Sequence, residues 1–400
     1  MLELDAVQTL AFAGLALFLG YALCRVVPLF SRYNLPPPVI GGLVVAVAVL
    51  FARSRDVTLF TLDTSLQTPL MIAFFTTIGV NASVALLKIS GRQVVVFLLL
   101  ATAFAIAQNL LGVAVAMGFG LHPLFGVLAG STTLTGGPAT GLAFAPLFEQ
   151  AGVAGAESIA VAAAMAGILC GGLIGGPVAT VLIRRHKLYG GVRLGAPDES
   201  AAEPAGARDT PDFATREHAA LKSIVVILVA MWLGAGVSNG LEAIGMTLPA
   251  TVGAMMVGAM IRYIDDRTRW IGLPVATTDL VGNVCLSLFL AVALMNLKLW
   301  ELAGLAAPLL VNLALQVALV ALFCGVVFRV MGRDYDAAVM GGGFIGFMLG
   351  TTANAMAVMR TLVERYGMGP RAFLVAALVG AFLIGFTNAL IITGFINFWD

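Results

Sequence analysis

The chain has 400 residues, of which 60% are hydrophobic and 11% are charged, with a net charge of +1 at pH 7. The charged share is well below the roughly 25% usual in soluble domains, and apolar runs of about 18 residues or more recur along the chain. This pattern predicts a polytopic membrane protein and gives no sign of a nucleic-acid partner. The four cysteines form no Cys-x-x-Cys pair, which argues against a zinc site or a disulfide framework.

Ten apolar segments predict membrane-spanning helices, five in each half of the chain. The acidic N-terminus, MLELDAVQ, lacks a basic n-region, so we expect the first segment to be a retained span and not a cleaved signal peptide. The spans of the first half cover about residues 7–27, 39–52, 69–87, 94–117 and 158–183. Those of the second half cover about residues 223–241, 248–264, 280–297, 302–330 and 373–395.

Two further apolar stretches, residues 124–148 and 337–359, are interrupted by glycines and small polar residues. The first contains STTLTGGPATG at residues 131–141. Irregular backbone at membrane depth is tolerated only where protein encloses it or where it lines a wet cavity. Each stretch therefore predicts a re-entrant hairpin.

Charge supports this count of ten spans and two hairpins. With ten spans and two hairpins, 19 of the 22 Lys and Arg residues lie on one face of the membrane, and Arg53, Arg55 and Lys298 lie on the other. Cytoplasmic loops carry such an excess of basic residues. Residues 184–222, rich in Pro, Gly, Ala and charge, are then a flexible cytoplasmic linker, and both termini lie outside.

The two halves resemble each other in sequence. NLPPPVIGGLVVAV (34–47) is similar to MTLPATVGAMMVGA (246–259), and GGPATG (136–141) corresponds to GGGFIG (341–346). An odd number of spans per half gives the halves opposite orientations, as in inverted-repeat transporters. We predict an all-α polytopic membrane protein with inverted repeats at 1–183 and 223–400, joined by the linker.

The hairpin tips are the candidate substrate site, because glycine admits a ligand to the backbone and helix ends leave N–H groups free. The alternative is that small residues here permit close helix packing. An arginine before the last span could hold a carboxylate, or could be an interfacial anchor. The predicted substrate-binding residues are Ser131, Thr132, Thr135, Gly136, Gly137, Thr140, Gly343, Thr351, Thr352, Asn354 and Arg371.

A cation site is predicted from neutral oxygens, which suit a hard cation. No Asp, Glu or His lies near the middle of a predicted span, so Na⁺ coupling fits better than proton coupling. Buried amides that merely bridge helices are the alternative. The predicted cation-binding residues are Thr76, Thr77, Asn81, Thr133, Asn283 and Asn388.

Other polar and small residues have structural interpretations. Gly167, Gly171 and Gly175, with the pair Gly172 and Gly176, predict close helix packing. Gln108 and Gln316 occupy similar places in the two halves and predict interhelical bonds, and Asp334 and Asp336 predict a helix N-terminus. No Walker motif and no intramembrane protease pair is present, so we expect a secondary transporter, neither an enzyme nor an ATP-driven pump.

Several motifs resemble the bacterial sodium/glutamate symporter family. They are GSTTLTGGPATG (130–141), GGLIGGPVA (171–179), LPPPVIGGL (35–43), FFTTIGVNA (74–82), VGNVCLSLFLAVALMNLKLWELA (281–303), YDAAVMGGG (335–343) and ERYG (364–367). The resemblance implies Na⁺-driven import of glutamate across the inner membrane, with Na⁺ as coupling ion and no other cofactor. It also implies a homodimer in the lipid bilayer, with a scaffold domain and a transport domain that carries both hairpins in an elevator movement.

The chain departs from those carriers at three places. They have a histidine where this chain has Pro138, another at Phe344, and an aspartate at Gly385. The alternatives are therefore the same fold with a different carboxylate or a neutral substrate, or a transport-inactive sensor or scaffold.

Overall fold

The computed structural model describes residues 2–33, 35–55, 60–82, 91–188, 213–243, 248–302 and 304–399. Most of the predicted linker, 189–212, and the predicted end of the third span, 83–87, lie outside these residues. Two short parallel strands, β1 (Leu2–Leu4) and β2 (Phe60–Leu62), pair near the N-terminus. Everything else in the described chain that is regular is helical.

The helices follow the predicted segments. In the first half they are α1 (Ala6–Val26), α2 (Pro28–Arg32), α3 (Pro37–Arg53), α4 (Gln67–Asn81), α5 (Gly91–Gly118), α6 (Pro123–Val127), α7 (Gly137–Gln150) and α8 (Ala156–Arg185). In the second half they are α9 (Phe213–Glu242), α10 (Ala250–Thr268), α11 (Val275–Met295), α12 (Ala306–Val330), α13 (Tyr335–Met348), α14 (Thr352–Tyr366), α15 (Pro370–Leu378) and α16 (Ile384–Trp399).

Six helices of the described chain are long and apolar enough to cross a membrane: α1, α5, α8, α11, α12 and the Glu217–Leu241 part of α9. The shorter helices α3 and α16 are also apolar. Since these helices recur along the whole chain, the protein is a multi-pass membrane protein. Nine of the ten predicted spans each overlap one helix, and the last overlaps both α15 and α16.

Two boundaries differ from the sequence prediction. Helix α9 begins at Phe213, so the end of the predicted linker is helical, and His218 lies in that helix and not in a loop. The last predicted span is divided, because α15 ends at Leu378 and a π-helical turn, Val379–Leu383, joins it to α16. Continuous apolar sequence gave no local signal for that turn.

The helices pack as two groups. We call α1, α3, α4, α9, α10 and α11 the scaffold group, and α5 to α8 with α12 to α16 the break group, because it contains both interrupted helix pairs. Glycines allow close approach within the scaffold group: a Cβ added at Gly41 would clash with the carbonyl of Ala16, where α3 crosses α1. The largest cluster of buried apolar side chains lies within the break group.

Within the break group, one face of α8 packs tightly against α13 and the residue that follows it. A Cβ at Gly167 would lie 2.5 Å from Leu349 O, and one at Gly175 would lie 2.9 Å from Gly342 O. With Gly171, which faces Gly346, these residues confirm the predicted glycine packing face. The prediction is wrong for Gly176, which has nothing within 4 Å because it points away from that contact.

Candidate functional site

The first helix break separates α6 from α7. After Val127 the chain makes a π-helical turn, Leu128–Thr132, in which Gly130 has a non-helical backbone with φ −104° and ψ −126°. Helix α7 then begins at Gly137, whose φ of +72° favours glycine. Pro138 follows in the first turn of α7, where a missing N–H removes no helical bond.

Amide side chains from neighbouring helices hold the first break. Asn109 Oδ1 accepts a hydrogen bond from the Ser131 N–H at 2.8 Å, and Asn388 Nδ2 donates to the Ser131 carbonyl at 2.9 Å. Asn312 Nδ2 donates to the Ala129 carbonyl at 2.7 Å. These bonds fix the backbone at the break, where the Ser131 carbonyl also accepts from the Thr135 and Gly136 N–H groups at 3.2 and 3.0 Å.

The same break contains buried oxygens that have no hydrogen-bond partner among the described residues. They include Ser131 Oγ, Thr132 Oγ1 and Asn388 Oδ1. The three residues are at most 1% exposed. Because buried polar atoms normally find partners, a group of such oxygens indicates a place for a bound ion or water.

The second break separates α13 from α14. Hydrogen bonds between side chains and backbone groups hold it. Thr351 caps α14 by accepting a hydrogen bond from the Asn354 N–H at 3.3 Å. Thr352 Oγ1 donates to the Gly380 carbonyl at 2.8 Å, and Asn354 Nδ2 donates to the Ile168 carbonyl of α8 at 2.7 Å. The start of α14 is therefore fixed to two neighbouring helical segments.

A cavity of about 620 Å³ lies where the two breaks meet the scaffold group. From the breaks it is lined by residues 135–140, 347 and 350–353, and from the scaffold group by residues of α1, the start of α3, α4 and α11. No lining residue that the structure describes is charged. The first turns of α7 and α14 both border the cavity, so two helix N-termini supply partial positive charge to it.

The structure brings part of the predicted site to this cavity. The predicted residues that line it are Thr135, Gly136, Gly137, Thr140, Thr351, Thr352 and Asn283. Ser131, Thr132, Thr133 and Asn388 are buried at the first break, outside the cavity lining. Thr133 Oγ1 donates to the Leu128 carbonyl at 2.8 Å.

Three predicted substrate residues lie elsewhere. Gly343 is inside α13, where an added Cβ would clash with Met359 Sδ of α14, so it is a packing residue and not a tip residue. Asn354 is turned toward α8 by its bond to Ile168. Arg371 pairs with Asp334 at 2.6 Å and is absent from the cavity lining.

The predicted helix cap at Asp334 is confirmed. Asp334 precedes α13 and accepts a hydrogen bond from the Ala337 N–H at 2.8 Å, in addition to its pair with Arg371. Asp336, in the first turn of α13, accepts a bond from the Ala372 N–H of α15 at 3.1 Å. Arg371 and the two aspartates thus join α13 to α15.

The predicted cation residues of α4 do not line the cavity. Thr76 and Thr77 donate to carbonyls of their own helix, Ile72 O and Phe74 O, each at 2.7 Å. Asn81, the last residue of α4, donates through Nδ2 to the Asp279 carboxylate of α11. The hydrogen bonds of these three residues therefore lie within α4 or reach α11, and none of these bonds joins them to the first break.

Comparison with known proteins decides the family. The family model for sodium/glutamate symporters matches residues 2–368. The chain belongs to the sodium/glutamate symporter family. It is 40% identical to the sodium/glutamate symporter of Escherichia coli K12 over 394 residues, which covers 98% of this chain and 97% of the relative. It is 39% identical to that of Haemophilus influenzae over 387 residues, covering 96% and 95%.

The sodium/glutamate symporter family consists of transporters and not of enzymes. The cavity is therefore a candidate transport site and not a candidate active site. Two of the three positions where this chain departs from the family motifs, Pro138 and Gly385, line the cavity. The third, Phe344, lies in a cluster of rings with Phe97, Phe104 and Phe323.

Sequence reasoning missed Asn109 and Asn312, which hold the first break in this symporter-family chain. Both are fully or almost fully buried in long apolar helices, α5 and α12. An amide in the middle of a span is a signal that could have identified them, because a polar group in hydrocarbon needs a partner.

Proposed function

We propose that the protein is a Na⁺-coupled symporter of glutamate or a closely related small organic anion in the bacterial inner membrane. The observation that carries the proposal is a cavity bordered by two helix N-termini and by both helix breaks. Family membership supports Na⁺-coupled glutamate symport.

An anionic substrate fits the electrostatics of the cavity. Each helix N-terminus carries roughly half a positive charge and free N–H groups, and unwound half-helices in transporters point their N-termini at anionic substrate groups. Gly136 and Gly137 allow the substrate to approach the backbone at the start of α7. The hydroxyls of Thr135, Thr140 and Thr351 add neutral hydrogen-bonding groups.

The Na⁺ site is proposed at the first break. Ser131 Oγ, Thr132 Oγ1 and Asn388 Oδ1 are buried oxygens without a partner in the described chain. Neutral oxygens can bind Na⁺ without releasing a proton. Because residue 135 lines the cavity four residues after Ser131, an ion here would organise the same segment that the substrate contacts.

Alternating access is proposed to follow an elevator movement. The cavity lies between the scaffold group and the break group, so movement of the break group would carry both breaks together. In this proposal α6–α7 and α13–α14 are re-entrant hairpins of two inverted repeats. Both termini lie outside, and the protein is a homodimer.

Uptake of labelled glutamate into proteoliposomes tests the proposal. An inward Na⁺ gradient should drive accumulation, and replacement of Na⁺ by choline should abolish it. Full uptake from an imposed pH gradient without Na⁺ would contradict the coupling ion. Absence of uptake of any amino acid or dicarboxylate by a folded, reconstituted protein would favour a transport-inactive sensor or scaffold.

A second candidate is the same transport cycle with another carboxylate or a neutral substrate. It is favoured by the cavity itself, because Pro138 and Gly385 stand where the glutamate carriers have a histidine and an aspartate. Competition by unlabelled compounds distinguishes the candidates. Glutamate should inhibit its own uptake at lower concentration than glutamine or succinate if the first candidate holds.

A further inference from the structure

Gln108 contacts both helix breaks through a single buried side chain. It lies in α5 and is fully buried. Its Oε1 accepts a hydrogen bond from Thr135 Oγ1 at 2.6 Å, and its Nε2 donates to the Met348 carbonyl at 2.9 Å. Thr135 lines the cavity, and Met348 is the last residue of α13 before the second break. One amide therefore connects the two segments that form the cavity.

Only a side chain with both a donor and an acceptor can make these two bonds. The Met348 carbonyl can only accept, so Nε2 must face it, and this leaves Oε1 toward Thr135. A threonine hydroxyl has one hydrogen to donate and two lone pairs to offer. Thr135 Oγ1 lies 2.6 Å from Gln108 Oε1 and 3.4 Å from Met348 Sδ, and the amide oxygen is the nearer and stronger acceptor. Because Thr135 gives its hydrogen to Gln108, its hydroxyl can only accept from a group in the cavity that Thr135 lines.

We infer that Gln108 is a positioning residue that makes Thr135 an acceptor, and that this point of the cavity recognises an N–H donor of the substrate, such as the ammonium group of an amino acid. The helix N-termini of α7 and α14 supply the complementary donors for carboxylate groups. The cavity then distinguishes an amino acid from a plain dicarboxylate without a charged side chain. This inference rests on the proposed amino-acid anion as substrate.

The test compares glutamate with glutarate, which has the same two carboxylates and no ammonium group. Inhibition constants against uptake and ligand-induced shifts in melting temperature are measured for both compounds. We expect the wild type to prefer glutamate, and Gln108→Met to reduce the ratio of the two affinities about tenfold, since the freed Thr135 hydroxyl can donate to a carboxylate. An unchanged ratio in Gln108→Met, or a wild type that binds both compounds equally, would overturn the inference.

Gln316→Met is the matched control. Gln316 Nε2 donates to the Gln108 backbone carbonyl at 2.7 Å, and its side chain bonds neither Thr135 nor Met348, so its loss removes a buried interhelical bond without removing the acceptor of Thr135. The ratio should stay at the wild-type value in this variant. An equal fall of the ratio in both variants would show that the effect is general loosening of α5, and would overturn the role of Gln108.

Gln108→Glu supplies an independent measurement if Gln108→Met does not fold. The introduced carboxyl group, when protonated, keeps one donor for Met348 and one acceptor for Thr135, whereas the carboxylate has no donor. Because a carboxyl oxygen accepts from Thr135 in both forms, the preference for glutamate should stay at or above the wild-type value at every pH, even where the bond to Met348 is lost. A fall of the ratio by about tenfold in this variant would contradict the inference, because Thr135 would still have its acceptor. If the wild type binds glutamate selectively but does not transport it, the inference stands and the proposed transport function fails.

Discussion

The two helix breaks border the same cavity but are held in different ways. At the first break, amides from α5, α12 and α16 bind backbone groups of residues 129 and 131, while nearby hydroxyl and amide oxygens keep no partner in the described chain. At the second break amides also bind backbone carbonyls, from Gln108 to Met348 and from Asn354 to Ile168, but there the hydroxyls of Thr351 and Thr352 have backbone partners of their own. This difference supports the proposal that the first break binds the cation, while the second break fixes the N-terminus of α14 at the cavity.

The orientation of the two breaks can be tested by labelling the end of each second arm. Gln150 ends α7 and Glu364 lies in the last turn of α14, and both are exposed. In a cysteine-free background, Gln150→Cys should react with an impermeant maleimide from outside, and Glu364→Cys only after permeabilisation, because inverted repeats enter from opposite faces. Ala202→Cys and Asp400→Cys should report the inside and the outside respectively. Labelling of both arms from one face would contradict the inverted-repeat proposal.

Gly137→Leu should have the largest effect on transport. The substitution places a side chain at a φ of +72°, next to Gly350 O and Thr351 Cγ2, both 3.8 Å from an added Cβ. We expect the uptake rate to fall by about 100-fold or more, since displacement of a positioned group by about 1 Å has such an effect. Elution as a monodisperse species and a normal yield would show that the protein still folds.

Gly343→Leu is the counterpart of Gly137→Leu at a glycine that packs inside α13 and does not line the cavity. Its side chain would displace Met359 between α13 and α14, so the melting temperature in detergent should fall together with transport. If Gly343→Leu kept the wild-type melting temperature and lost only transport, Gly343 would belong to the site after all.

Removal of the unpartnered hydroxyls should affect Na⁺ more than substrate. The double variant Ser131→Ala, Thr132→Ala deletes two oxygens at the first break, and we expect the half-saturating Na⁺ concentration to rise about tenfold, the equivalent of roughly 1.4 kcal/mol. Thr352→Ala is the counterpart at the second break and should raise the substrate KM more than the Na⁺ requirement. Initial uptake rates over a matrix of Na⁺ and substrate concentrations measure both. Equal changes of the Na⁺ requirement and of the substrate KM in the two variants would contradict the proposal that the first break binds Na⁺ and the second contacts the substrate.

The smallest effect is expected in α8, which separates the breaks. Gly167 faces both of them, with an added Cβ at 2.5 Å from Leu349 O and 2.6 Å from Leu134 Cδ2. Gly167→Ala should therefore destabilise the protein by about 1–3 kcal/mol. Gly176→Ala, which meets nothing within 4 Å, should leave the melting temperature unchanged or raise it slightly, by about 1 kcal/mol or less in stability. Thermal unfolding in detergent compares the two, and a lower melting temperature for Gly176→Ala would contradict the packing account.

The sequence predicted the positions of the helices because hydrophobic length determines them locally. Nine of the ten predicted spans each overlap one helix, the last overlaps two, and the polar interruption at residues 131–141 falls at the first helix break. The glycine spacing on α8 predicted its packing face, and Asp334 predicted a cap, since both patterns act within one or two turns. The resemblance of the motifs predicted the family that the comparisons established.

Only the tertiary structure decided which polar residues lie together. Gly343 and Arg371 belong to patterns that fit a site, yet they pack within α13 and α15, because contacts between distant helices decide their surroundings. Gln108 and Thr135 are 27 residues apart, and Asn388 and Ser131 are 257 apart, so no local pattern could pair them. The need of buried polar groups for hydrogen-bond partners identifies such residues as important, but the folded arrangement of helices selects each partner.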